Sequence, residues 1–224
     1  MVEVRVALSG VGLFHAVPET ELTAVAELGS SRRLRRGQLL FCEGEPSEHL
    51  FVVVTGRVKV FLTSPRGDEL LLAVLGPGDA LGELSVLDGL PRSASASALD
   101  DVTLVALPAA ALRQLLARSP ALSLAWAQEL SGTVRRLTGS AADLVFLDLP
   151  RRLAKFLLDA DTDGRRPSAV ELGLSQSEVA ARLGVARQSL NRALSALQAR
   201  GWIDVQGTRI VLLDRSALER FAGS

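Results

Sequence analysis

Between residues 37 and 107 the apolar positions come in short runs broken by turn formers. Residues 38–42, 49–54, 57–62, 69–75 and 102–107 each have the length and composition of a strand, and Gly44, Gly56, Gly67, Gly76 and Gly78 punctuate them. Many short strands at regular spacing predict a sandwich or roll, not a parallel sheet. The four arginines within residues 32–36 surround Leu34, which must point inward, so a solvated strand edge or turn is expected there. Ahead of this region, residues 1–30 are weakly helical, with Leu13 and Phe14 as apolar anchors and a helix start near Pro18.

Past residue 107 the period changes. Pro108 opens a helical stretch to Arg118, and Pro120 opens a second one running to about residue 147, roughly 40 Å at the helical rise. Along it Leu130, Val134, Leu137, Ala141 and Leu144 alternate steps of four and three, the seam spacing of paired helices. Packing onto its own domain is the alternative, but so long a seam beyond the β-region favours a dimer interface. Pro150 is expected to end the helix and to push Leu149 out of helical geometry. Leu153, Phe156, Leu157 and Ala160 then share one helical face, and a polar loop follows over residues 161–168.

Ser175 and Glu178 form a capping box before Val179, Ala180 and Leu183, and Gly184 stops that helix. A second helix runs from about Ala186 to Arg200. Its apolar side is Leu190, Ala193, Leu194 and Leu197; its other side presents Arg187, Gln188, Asn191 and Arg192. Two helices joined by a glycine turn fit a helix-turn-helix, and arginine, asparagine and glutamine suit base edges. Residues 202–205 and 209–213 make a hairpin, a wing whose Arg209 is placed to meet phosphate. Ser175 and Gln176, at the start of the first helix, and Ser189 complete the expected DNA-facing set.

The net charge of zero hides an asymmetry: residues 151–224 carry 12 Lys and Arg against 8 Asp and Glu, whereas residues 1–150 carry 13 against 17. The basic C-terminal part suits a nucleic acid. Cys42, the single cysteine, excludes an intrachain disulfide and a four-cysteine iron–sulfur cluster. His15 and His49 lack ligand spacing and read as surface or loop residues, so no metal is expected. Without a phosphate-loop motif or a Ser-His-Asp set, the chain does not read as an enzyme. No signal peptide and no membrane span are evident, so a cytoplasmic protein is expected.

The remaining chemistry lies in residues 81–95. Gly82 and Gly89 permit tight turns, Glu83 supplies a carboxylate, and nine residues later Arg92 supplies a planar fork of donors beside the Ser93 hydroxyl. Such a loop suits a sugar phosphate, although its spacing alone also fits a solvated surface loop. Gly82-Glu83-Leu84 followed by Pro91-Arg92-Ser93-Ala94 resembles the phosphate-binding cassette of cyclic-nucleotide-binding domains, and more narrowly that of the CRP/FNR family of bacterial transcription regulators. The similarity runs from about Leu13 to about Leu213.

The resemblance implies an α+β protein. It consists of a β-roll or jelly-roll cyclic-nucleotide domain (residues 1–119), a long dimerisation helix (120–148) and a winged helix-turn-helix (149–224). It implies that Glu83 holds the ribose 2′-hydroxyl, that Arg92 and Ser93 hold the cyclic phosphate, and that Val60 and Leu72 line the base pocket. It implies a homodimer on a palindromic operator in double-stranded DNA, with RNA polymerase as a further partner and cyclic AMP as effector, without a resident cofactor. Two departures stand out. The recognition helix usually reads Arg-Glu-x-x-x-Arg, but Gln188 takes the Glu position in Arg187-Gln-Ser-Leu-Asn-Arg192. The pair of polar residues that meets adenine in cyclic-AMP-binding members is Leu137-Thr138, so one hydroxyl is lost, worth about 0.5–1.5 kcal/mol. Looser cyclic AMP binding, another nucleotide or metabolite, and DNA binding largely independent of ligand therefore remain as alternatives.

Overall fold

The computed structural model describes residue 8 and residues 10–14, 17–161, 168–171, 174–207 and 209–223. His15 and most of the polar loop expected at 161–168 lie outside the described residues. The chain divides into two compact units, Met1–Val134 and Arg135–Ser224.

In the first unit a 3-10 turn at Gly12–Phe14 and helix α1 (Glu19–Glu27) precede the strands β1 (Ser30–Leu34), β2 (Leu39–Phe41), β3 (His49–Thr55), β4 (Val58–Thr63), β5 (Glu69–Leu75) and β6 (Ala80–Leu81). Helix α2 (Glu83–Asp88), strands β7 (Ser95–Ala98) and β8 (Val102–Pro108), and helices α3 (Ala109–Arg118) and α4 (Pro120–Phe146) follow. The strands form two four-stranded antiparallel sheets, ordered β1-β8-β3-β6 and β2-β7-β4-β5.

The cores explain why the central residues of β3 (Leu50 to Val54) and most of β8 are apolar. Phe51 and Val53 on β3, with Val102, Leu104 and Ala106 on β8, join Phe41, Val58, Ala96 and Ala98 of the other sheet in the sandwich interior. The alternate residues, Leu50, Val52, Val105 and Leu107, face the opposite way, into a second core with Phe14, Leu22, Val25, Leu112, Leu122 and Trp126 from the helices. A strand covered on both faces needs no polar alternation.

Short β7 escaped the sequence reading. Ser95-Ala-Ser-Ala98 lacks β-branched and aromatic residues, yet all four are buried. Ala96 and Ala98 sit in register with Val60 and Val58, where small side chains fit the sandwich. The two-residue β6 was missed as well.

The second unit begins within α4, which leads through Asp148 into α5 (Leu149–Ala160). Leu149 is helical, contrary to the expectation drawn from Pro150. Asp148 caps the new helix, accepting from the Arg151 amide at 3.0 Å, and Pro150 sits in the first turn, where its missing N–H breaks no bond. The unit continues with β9 (Ser168–Glu171), α6 (Gln176–Arg182), α7 (Arg187–Ala199), β10 (Ile203–Gln206), β11 (Arg209–Leu212) and α8 (Arg215–Gly223). The wing is a three-stranded sheet, β10-β11-β9, one strand more than the sequence suggested. Leu153, Ala154 and Leu157 of α5 are buried. Leu190, Ala193, Leu194 and Leu197 of α7 are buried as their spacing predicts.

Candidate ligand pocket and nucleic-acid interface

Strand β6 ends at Leu81, and the chain turns through Gly82 at φ +90° into α2. A side chain at 82 would be strained by that φ, and its Cβ would overlap Arg92 Nη1 and lie 3.1 Å from Cζ. The segment expected as a loop is a short helix, six residues long, that opens on Glu83 and closes at Gly89 (φ +71°). Glu83 thereby sits in the first turn, where the helix dipole and amide groups favour a negative charge. Burial nevertheless raises its pKa above the ordinary value of 4.5. The N–H groups of Glu83 and Gly82 and the charge of Arg92 oppose the rise, and Glu129 adds to it.

Arg92 follows α2 and is held by its backbone. Its N–H donates to Glu45 O at 2.9 Å, and its carbonyl accepts from Gly44 N at 2.8 Å. Ser95 Oγ accepts from Glu43 N at 3.0 Å, so the 43–45 loop is laced to the 92–95 segment. Only 5% of Arg92 is exposed. Its Nη2 donates to the His49 carbonyl at 2.6 Å, while Nε and Nη1 are buried without a hydrogen-bond partner. The guanidinium carbon lies 4.1 Å from the Phe41 ring centroid and 5.5 Å from that of Phe51. Burial lowers the Arg92 pKa, and the charges of Glu83 and Glu45 partly restore it. A desolvated cation with two idle donors beside a carboxylate is chemically ready for an anion that also carries hydroxyls.

The structure brings Gly82, Glu83 and Arg92 together. Ser93 is exposed, as is Leu84 on α2. Val60 and Leu72 share the β4–β5 hairpin and are half-buried. Leu72 is the extra residue of a bulge: Leu71 faces Phe61 and Ala73 faces Val60, with Leu72 inserted between them. A bulge of this kind redirects a side chain. Leu137 and Thr138 belong to the part of α4 within the second unit and are exposed. Sequence reasoning missed Phe41, Phe51 and His49. The two rings look like ordinary core residues, and His49, expected in a loop or at the surface, is half-buried as the first residue of β3. Nothing local marks its carbonyl as an acceptor for Arg92.

On the second unit, Ser175 Oγ accepts from Glu178 N at 3.3 Å and Glu178 Oε2 accepts from Ser175 N at 2.6 Å, completing the capping box. Gly184, at φ +66°, makes the turn into α7, whose N-cap Ala186 offers no side-chain bond. Arg187, Gln188, Asn191 and Arg192 are exposed, as is Arg209 on the wing. Two side chains have local supports: Gln176 Oε1 accepts from Arg187 Nη2 at 3.4 Å, and Ser189 Oγ accepts from Arg192 Nη2 at 3.2 Å. At the C-terminal end, α8 is fastened by Phe221, against which Arg151, Arg200 and Trp202 pack. Among the described residues no cluster of His, Cys, Asp and Glu could hold a metal ion, and no helix is long and apolar enough to cross a membrane.

A β-sandwich with a buried, unsatisfied cation, a long helix and a helix-turn-helix with a wing are the parts of a DNA-binding protein that also carries a candidate anion pocket. Comparison with known proteins agrees. Residues 31–119 match the model of the cyclic nucleotide-binding domain, and residues 151–221 match the Crp-like helix-turn-helix domain. The chain is 35% identical over 219 residues to a CRP-like cAMP-activated global transcriptional regulator of Mycobacterium tuberculosis, covering 96% of this chain and 98% of that one. It is 30% identical over 215 residues to a cyclic AMP receptor protein of Thermus thermophilus, with the same two coverages, 96% and 98%. In fold it resembles FixK2 of Bradyrhizobium japonicum, with a TM-score of 0.76 at 23% identity over 88% of this chain and 98% of that one. The chain belongs to the CRP/FNR family of DNA-binding transcription regulators and carries that family's cyclic nucleotide-binding domain. Members of this family regulate transcription and are not classed as enzymes.

Proposed function

We propose that this protein is a homodimeric transcription regulator whose DNA binding is controlled by a cyclic nucleotide, most simply cyclic AMP. The observation that carries the reading is Arg92: a cation 5% exposed, with two donors unsatisfied and Glu83 close by. The cyclic phosphate takes Arg92 and Ser93, the ribose 2′-hydroxyl takes Glu83, and Val60 and Leu72 border the base. Leu137 supplies no hydrogen bond to the base, and Thr138 supplies the remaining one. The exposed residues of the α4 seam support pairing of two chains, with Val134, Leu137 and Leu144 61%, 58% and 62% exposed in the single chain. Two copies of α7 then read a palindromic operator through Arg187, Gln188, Asn191 and Arg192, with RNA polymerase as the further partner, in the cytoplasm.

Leu137 also favours a second reading, a regulator of the same fold tuned to another nucleotide or to a metabolite. Calorimetric titration of ligand-free protein with cyclic AMP and cyclic GMP, repeated on Arg92→Ala, separates the two. Saturable binding of cyclic AMP that the substitution abolishes is the expected result. Binding of cyclic GMP alone would give the site to another nucleotide, and binding of neither would refute cyclic-nucleotide control.

A further inference from the structure

Removing a guanidinium from water is costly unless something replaces the solvent. Among the described residues no carboxylate lies within ion-pair distance of Arg92, so its replacement solvent is of another kind. One N–H group meets the His49 carbonyl, and the charge lies over aromatic rings. Phe41 closes β2 in one sheet and Phe51 lies on β3 in the other, yet the rings stack at 6.0 Å with 25° between their planes. Phe41 faces the small Ala96 across its ladder, and Phe51 faces Ala106 on one side and Leu81 on the other. The sandwich thus ends in an aromatic shelf under the cassette, built from both sheets, with the guanidinium resting on it.

We infer that Phe41 is a positioning residue for nucleotide binding: its ring holds the Arg92 guanidinium by its face, so that the in-plane N–H groups stay free for the phosphate. The inference rests on the cyclic-nucleotide reading of the site. A ring beneath the cation and an anion in its plane use different parts of the group, so the two contacts coexist and do not compete. Without the shelf, the ligand itself must order a long side chain and lose affinity. The contact is to the phosphate arm, so cyclic AMP and cyclic GMP are affected alike.

The test is calorimetry with both nucleotides on Phe41→Leu and Phe41→Tyr, alongside nitrogen-15 NMR of the Arg92 Nε–H group in the ligand-free proteins. Phe41→Leu is expected to weaken both nucleotides by roughly 5- to 20-fold. Phe41→Tyr should stay within about twofold of the parent, because it keeps the ring. The Arg92 resonance should lose its ring-current shift in Phe41→Leu and keep it in Phe41→Tyr. Unchanged or tighter binding by Phe41→Leu overturns the inference, because the stack is then dispensable or competes with ligand. Equal losses in both variants overturn it too, by making the role one of packing. If Phe41→Leu does not fold, Phe41→Met, which also lacks the ring but fills more of its volume, takes its place under the same criteria. If the parent binds neither nucleotide, the cyclic-nucleotide reading fails on its own. The resonance still decides the stack, and an identical shift with and without the ring overturns it.

Discussion

Glu83 is held in tension between two environments. The first turn of α2 offers amide donors to a carboxylate, yet burial raises the pKa and wins. The folded state therefore binds the Glu83 proton more tightly than the unfolded chain does, and the linkage has a definite sign. The stability this group contributes is fully present below the ordinary value of 4.5 and is lost as pH rises through the higher folded value. Urea midpoints of the ligand-free protein, measured between about pH 4 and 7, should contain a descending component that Glu83→Gln removes. A variant with an unaltered pH profile would show that the amide donors and Arg92 fully offset the burial of the carboxyl. At this scale the site was half legible. Gly82, Glu83 and Arg92 lie within eleven residues, so a reader meets them together. Phe41, Phe51 and His49 reach Arg92 only through the folding of two sheets, and no local spacing announces them.

Among the elements, α4 carries the clearest unmet demand. Val134, Leu137, Leu144, Val145 and Phe146 are all exposed in the single chain, an apolar stretch that a helix in water does not favour. Burying a large aliphatic side chain is worth about 1.5–3 kcal/mol, and two-fold symmetry doubles each contribution. Val134→Glu combined with Leu144→Glu should therefore leave monomers at micromolar concentration where the parent sediments as a dimer. A parent that sediments as a monomer would remove the seam from the proposal. The sequence showed this helix because its period is long and regular. It hid β7 because Ser95-Ala-Ser-Ala98 is built from small residues that only the sandwich interior explains. It hid the helical state of Leu149 because proline in a first turn and proline in a helix interior look alike until Asp148 is seen as the cap.

The whole molecule keeps its two chemistries in different compact units: the buried cation lies in residues Met1–Val134, and the reading helix lies in Arg135–Ser224. In the sequence, residues 1–150 are acidic on balance and residues 151–224 basic. Any control of one unit by the other has to be thermodynamic coupling, and coupling between two bound ligands is reciprocal. If saturating cyclic AMP tightens the operator complex by some factor, operator DNA must favour loading of both nucleotide sites of the dimer by that same factor. Couplings of this kind are typically about 5- to 150-fold. The expected result is that fluorescence anisotropy of a labelled operator, with and without cyclic AMP, gives the same factor as nucleotide titrations with and without DNA. Arg92→Ala should abolish the change in both, while leaving the affinity of nucleotide-free protein for DNA intact. Both arms need one fixed salt concentration, because phosphate contacts make the absolute DNA affinity depend steeply on salt. If cyclic AMP binds yet the operator affinity does not move, its affinity for the DNA-competent and incompetent states is equal, and occupancy cannot act as a signal. Leu137 is then the residue to change first: restoring a hydroxyl with Leu137→Thr should return a difference between the states if the lost base contact is what silenced it.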